Sequence, residues 1–109
     1  MTARIWRGRV RPHDAATYFD YLHRTGVADY QATLGNQGVT ILQREIEGAV
    51  EYTVLTFWTD MEAIRSFAGD DPEASHYYDE DEAYLLHMEP RVDHFDVPFT
   101  DLTLQTPEQ

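Results

Sequence analysis

Hydrophobic and polar positions change period several times along the chain, and each change marks an element. Ala3 to Val10 alternates loosely, with Ile5 on one face and Trp6, Gly8 and Val10 on the other. Pro12 cannot continue a ladder, so a first strand is expected to end before it. Ala15, Tyr18, Phe19, Leu22 and Gly26 then recur at helical spacing, which predicts a helix from about Pro12 to about Asp29 with Pro near its start and Tyr21 beside the stripe. Gly35-Asn36-Gln37-Gly38 predicts a turn. Val39 to Glu47 follows as a second strand, Val39, Ile41 and Gln43 alternating with Leu42, Arg44 and Ile46, and Glu47-Gly48 makes a hairpin into a third strand, Glu51 to Trp58.

That third strand carries Tyr52, Val54, Thr56 and Trp58 on one face and Thr53, Leu55 and Phe57 on the other, so both faces suit burial. A small antiparallel sheet usually keeps one face wet. A second copy of the chain is the expected cover, which leads towards a homodimer. Thr59-Asp60-Met61-Glu62 predicts a capping box with Thr59 as the cap, opening a helix that buries Met61, Ile64, Phe67 and Ala68 until Gly69-Asp70-Asp71-Pro72 stops it. The acids Asp79, Glu80, Asp81 and Glu82 suit the positive end of a further helix dipole, and they predict a solvated helix start continuing through Tyr84 to Met88. Arg91 to Val97 is the last expected strand, Val92 and His94 facing away from Phe95 and Val97. The order strand, helix, strand, strand, helix, strand predicts an α+β, ferredoxin-like split βαβ domain over 1–97 with a four-stranded antiparallel sheet. Residues 98–109 form a tail with Leu102 and Leu104 but no clear period, not a separate domain.

Composition narrows the function. With 20 acidic against 8 basic residues among 109, the formal charge of −12 argues against nucleic acid and anionic membrane surfaces, which need clustered cations. No apolar run approaches a membrane span and the N-terminus lacks the apolar core of a signal peptide, so a cytoplasmic location is expected. Without cysteine there is no disulfide, thiolate nucleophile or thiolate metal site.

The histidines are His13, His23, His76, His87 and His94, and none has the helical spacing of a zinc pair, so no metal is expected. His13 and His23 fall on exposed positions. His76 follows the Pro72 break beside Tyr77 and Tyr78, where it can point back into the fold, and His94 lies mid-strand. No Gly-x-Ser-x-Gly elbow and no glycine-rich nucleotide cradle occurs. What remains is aromatic content. Trp6, Phe19, Trp58, Phe67 and Tyr77 lie on elements that face one another and either line an apolar pocket for a flat ligand or make an ordinary aromatic core.

The run Thr56-Phe57-Trp58-Thr59-Asp60-Met61-Glu62-Ala63-Ile64 with Phe67, the Gly35-Asn36-x-Gly38 turn and the closing Val92-x-His94-Phe95-x-Val97 resemble the antibiotic biosynthesis monooxygenase family of the dimeric α+β barrel superfamily. The resemblance covers roughly Ala3 to Val97 and implies a dimeric α+β barrel. It spans quinol oxygenases that need no cofactor and haem-degrading oxygenases. In the haem branch a His binds iron, a Trp nine residues after the strand Trp presses on the porphyrin, and the first strand holds an Asn. Here His76 falls close to the first position, Phe67 occupies the second, and Ala3 to Val10 contains no Asn.

The resemblance therefore implies a cofactor-independent monooxygenase acting with O₂ on a small aromatic or polyketide-like substrate. Trp6, Phe19, Trp58, Phe67 and Tyr77 would be its substrate-binding residues, and His76 and His94 its catalytic proton-transfer or orienting groups. The alternatives are a haem- or small-ligand-binding barrel without oxygenase activity, and a scaffold protein whose barrel binds nothing.

Overall fold

The alternation seen at the N-terminus is realised in a four-stranded antiparallel sheet of order β2-β3-β1-β4, formed by β1 (Thr2–Val10), β2 (Asn36–Ile46), β3 (Ala49–Trp58) and β4 (Asp93–Asp96). The computed structural model describes residues 1–102. The period-2 pattern puts Trp6, Val10, Tyr52, Val54 and Trp58 on the face that receives the helices, where all are buried. The chain thus has the α+β ferredoxin-like topology expected of it. Leu104 of the tail lies outside the described residues, while Phe99 and Leu102 are exposed.

The β2–β3 hairpin turns through Glu47 (φ 54°) and Gly48 (φ 78°), two left-handed positions whose twist matches that of the strands they join. Before β2, Gly35 adopts φ 96°, and a methyl group there would sit 2.5 Å from the Ala63 Cβ. Its carbonyl accepts from the Thr59 amide at 2.9 Å, so this residue joins the start of β2 to the end of β3. Gly35→Ala combines a forbidden φ with a clash and is expected to cost about 2 kcal/mol or more, measured as a fall in the urea midpoint. A shift within a few tenths of 1 kcal/mol would refute the constraint.

Several elements differ from the expectation, each for a local reason. The first helical segment runs from a 3₁₀ turn (Pro12–Asp14) through α1 (Ala15–Leu22) and a π turn (His23–Val27) to α2 (Ala28–Ala32), three residues beyond Asp29. Hydrophobic spacing at 3.6 residues could not foresee the π turn. Asn36 belongs to β2 rather than to the turn, with a bulge between Asn36 and Gly38. The cap of α3 (Met61–Ala68) is Asp60, whose carboxylate accepts from the Ala63 amide at 2.9 Å, because the Thr59 amide bonds to Gly35 and holds Thr59 to the sheet. The expected helix from Asp79 to Met88 shrinks to the single turn α4 (Asp81–Tyr84). β4 covers only Thr2 to Ile5 of β1, so the free edge near Val10 captures the chain: Leu85 bridges Val10, and the Leu86 amide donates to the Arg9 carbonyl.

The outer sheet face carries Ala3, Ile5, Leu42, Thr53, Leu55, Phe57 and Phe95. Ile5 opposes Leu55, and Ala3 sits between Phe57 and Phe95. Leu42 and Phe95 are each about half exposed. This is the apolar face that the alternation marked for burial.

Candidate functional site

Three elements enclose a cavity on the helical side of the sheet. Trp6 and Val54 form its floor, the π turn contributes Thr25, Gly26 and Val27, and the segment after Pro72 closes it with His76, Tyr77 and Tyr78. The cavity measures about 20 Å³, room for one water molecule. Gly8 lets the Trp6 indole fold back along β1, since a methyl group at position 8 would lie 2.4 Å from the Trp6 Cη2. The indole Nε1 donates to the Tyr77 hydroxyl at 3.3 Å, and that hydroxyl donates to the Glu89 carbonyl at 2.5 Å.

Two charged residues reach this interior. Arg4 shares the Trp6 face of β1 and is only 2% exposed. Its Nη2 donates to the Ala74 carbonyl at 3.1 Å, and its guanidinium carbon lies 5.4 Å from the centre of the Phe67 ring. Burial pulls its pKa below the ordinary arginine value, and the neighbouring Tyr30 and Tyr78 hydroxyls counter the shift. The second is Asp81, expected as part of a solvated run and instead buried, because it collects two donors. Tyr18 Oη donates to it at 2.8 Å and the Tyr78 amide at 2.7 Å. Burial, followed by the Asp81 charge, pushes the Tyr18 pKa far up, so the phenol stays protonated and keeps donating. Asp81→Asn leaves one oxygen for the Tyr78 amide and turns an NH2 towards Tyr18 Oη, which must then switch from donor to acceptor and loses its charged partner. The expected cost is roughly 1–3 kcal/mol in denaturant unfolding, and an unchanged midpoint would contradict the contact.

Tyr78 and Tyr21 tie the covering segment to the first helical segment. The Tyr78 hydroxyl donates to the Asp29 carboxylate, and the Glu80 amide donates to the Tyr21 hydroxyl at 2.8 Å. Burial raises the Tyr78 pKa, as does its bond to Asp29.

The residues picked from the sequence fall in five places. Trp6, His76 and Tyr77 line the cavity together. Phe67 adjoins it, its ring 5.0 Å from that of His76 and 4.7 Å from that of Tyr30. Trp58 is fully buried beneath Phe67 and Tyr30, with its indole Nε1 donating to Thr56 Oγ1 at 2.8 Å, so it supports the wall without forming it. Phe19 lies elsewhere: it is 39% exposed and stacks against Tyr52 and His23. His94 sits beside Arg4 across the β1–β4 ladder. Burial, aided by the Arg4 charge, lowers its pKa and keeps the imidazole neutral at pH 7. Arg4 itself was legible as an alternation position on the Trp6 face; Asp81 and the π turn carried no such signal.

Among the described residues there is no cluster of three or more His, Cys, Asp or Glu side chains that could hold a metal ion, and no helix is long and apolar enough to cross a membrane. Haem does not fit the closed cavity. His76, the one candidate iron ligand at the cavity, is flanked by Phe67 and Tyr78 with each ring centre 5.0 Å away, and the closed cavity of about 20 Å³ is far below the several hundred Å³ of a typical ligand pocket, so a porphyrin or a smaller aromatic ring alike requires the 76–78 segment to move.

No family model matches the chain, and no curated protein matches it in sequence. Solved structures do share its fold. A Bacillus cereus protein provisionally named an antibiotic biosynthesis monooxygenase aligns over 93% of this chain and 96% of its own at 15% identity, with a TM-score of 0.60. The haem-degrading protein MhuD of Mycobacterium tuberculosis, with two haems in its active site, aligns over 93% and 99% at 18% identity, with a TM-score of 0.57. At such identities the likeness shows the fold of the single chain, the α+β ferredoxin-like part of the architecture that the sequence resemblance implied.

Proposed function

We propose that the protein is a homodimeric, cofactor-independent oxygenase of the antibiotic biosynthesis monooxygenase type, oxidising a small aromatic or polyketide-like compound with O₂. One observation carries the proposal: an aromatic-walled cavity with polar side chains directed inward lies between the first helical segment and the sheet. Trp6, Phe67 and Tyr77 would hold a flat ring by stacking and edge contacts. The ligand enters by displacing the segment that carries His76 to Tyr78, which has no regular secondary structure. His76, which lines the cavity, would take a proton from an acidic ring carbon.

In such a reaction the substrate carbanion supplies the electrons. One oxygen atom of O₂ becomes a new carbonyl on that carbon, and the other leaves as water with the two hydrogens that the carbon loses. A haem-dependent route would need the same displacement on a larger scale, since a porphyrin is several times the size of a single aromatic ring.

Oxygen uptake with anthrones and hydroquinones tests this function. Turnover by the wild type, abolished in a folded His76→Ala variant, is the expected result. Turnover unchanged in that variant would remove His76 from the mechanism. Saturable binding of aromatic compounds with no oxygen uptake would reduce the protein to a small-ligand binder, the alternative favoured by a cavity with no second proton-transfer histidine in its lining.

A further inference from the structure

The chain contains eight basic residues, all arginines, and seven of them are at least partly exposed. Each of those seven has a carboxylate within 4.0 Å: Arg7 with Asp93, Arg9 with Glu47 and Glu51, Arg11 with Asp14, Arg24 with Asp20, Arg44 with Glu51, Arg65 with Glu62, and Arg91 with Asp71 and Glu73. Arg4 is the exception. It is the one fully buried arginine and has no carboxylate partner among the described residues, in a chain with 20 acids to draw on. The other buried charge of the cavity, Asp81, is taken up by Tyr18 and the Tyr78 amide and makes no ion pair with Arg4, and a buried cation without a paired counter-charge is unfavourable unless something else supplies it.

The neighbourhood repeats the pattern. Among the described residues three buried side-chain polar atoms lack a hydrogen-bond partner: Arg4 Nε, Ser75 Oγ and His94 Nε2. They belong to one corner of the fold. His94 is the β4 partner of Arg4, and Ser75 follows Ala74, whose carbonyl holds the Arg4 Nη2. The corner is anchored, since Ala74 bridges Arg91, the Ser75 amide donates to the Pro90 carbonyl at 2.9 Å and the Val92 amide donates to the Glu73 carbonyl at 2.9 Å. All three orphaned groups can donate a hydrogen bond: a guanidinium N–H, a hydroxyl and, in the appropriate tautomer, an imidazole N–H. A fixed cation with a spare N–H of its own and two neutral donors nearby presents what an oxyanion needs.

We infer that Arg4, with Ser75 and His94, anchors the acidic oxygen group of the ligand, so that the compound bound in the cavity is an aromatic acid or phenol taken as its anion. The inference rests on the cavity being a ligand site, as proposed above, and adds what that ligand must carry. Of the three orphaned groups only Arg4 lines the cavity, and Ser75 and His94 adjoin it outside that lining, so a ring lodged against Trp6 and Phe67 would direct its oxyanion to the guanidinium first and to the two neutral donors beyond it. The group is a positioning anchor and takes no proton in the reaction.

The test uses the full chain and three probes of one size: benzoate, 4-nitrophenolate and neutral benzamide, titrated by calorimetry and by quenching of tryptophan fluorescence. At least one anion is expected to bind tenfold or more tighter than benzamide, the carboxylate and phenolate arms separating the two acidic groups. Arg4→Met should lower the ratio of anion to benzamide affinity tenfold or more, and Arg4→Lys should retain part of that ratio. If Arg4→Met does not fold, Ser75→Ala and His94→Gln give the same readout as a partial loss. Equal binding of benzoate, 4-nitrophenolate and benzamide overturns the anion anchor and leaves the aromatic site standing. Binding of none of them, at any concentration soluble in the assay, overturns both.

Discussion

Trp58→Ala is expected to lower the unfolding free energy by about 3–5 kcal/mol, the range for removing a fully buried large aromatic. The side chain has no exposed surface, packs against Tyr30 and Phe67, and fixes Thr56 through its indole N–H. Thr56 in turn donates to the Arg4 carbonyl at 3.3 Å, so the loss spreads along the row that carries the buried cation. A domain of this length has roughly 5–15 kcal/mol in total, so the thermal midpoint should fall on the order of 15 °C or more. Trp58→Phe keeps most of the apolar area and leaves Thr56 Oγ1 without its donor; about 1–2 kcal/mol is expected. Equilibrium urea unfolding of the two variants decides the matter. An alanine variant within 1 kcal/mol of wild type would show that Trp58 is not the keystone of the wall behind Phe67.

The second large effect concerns assembly. At micromolar concentration the wild type should sediment at twice its 12.7 kDa chain mass, and Leu55→Arg at the chain mass. Leu55 lies in the middle of the outer sheet face opposite Ile5, with Phe57 two residues along. In a lone chain that position is only half buried, so an arginine there is tolerated by the fold. Against a second copy of the same face the charge would be desolvated without a partner, which costs several kcal/mol and raises the dissociation constant a thousandfold or more. A wild type that sediments as a monomer at tens of micromolar overturns the homodimer, and the outer face then needs another cover.

Much of the fold was legible because it rests on local rules. Period-2 alternation assigned the faces of β1 and β3, the Glu47-Gly48 pair marked the hairpin, and element order alone pointed to the split βαβ topology. The misses share a cause. The end of α3 was marked by Gly69, but its start shifted one residue because the Thr59 amide answers to Gly35, 24 positions earlier in the chain. The helix expected after Asp79 gave way because the edge of β1 offered Leu85 and Leu86 backbone partners that no neighbouring residue reveals. Propensity weighs a few tenths of a kcal/mol per residue and yields readily to such pairings.

For the site the division is sharper. Residue types alone ruled out thiolate chemistry and argued against nucleic-acid binding, and aromatic content with the family resemblance put forward Trp6, Phe19, Trp58, Phe67, His76 and Tyr77, of which Trp6, His76 and Tyr77 line the cavity and Phe67 adjoins it. Whether a charged side chain sits in water or in the interior is not a property of its local sequence. Asp81 reads like its acidic neighbours until Tyr18, 63 residues away, is seen to donate to it; Arg4 reads like Arg7 and Arg9 until it is seen to be the one without an acid. Which faces are apolar could be read from the chain, because that follows from periodicity within single elements. Which charges are buried, and what they lack, emerged with tertiary packing, because desolvation and pairing are set by groups that only the folded chain brings together.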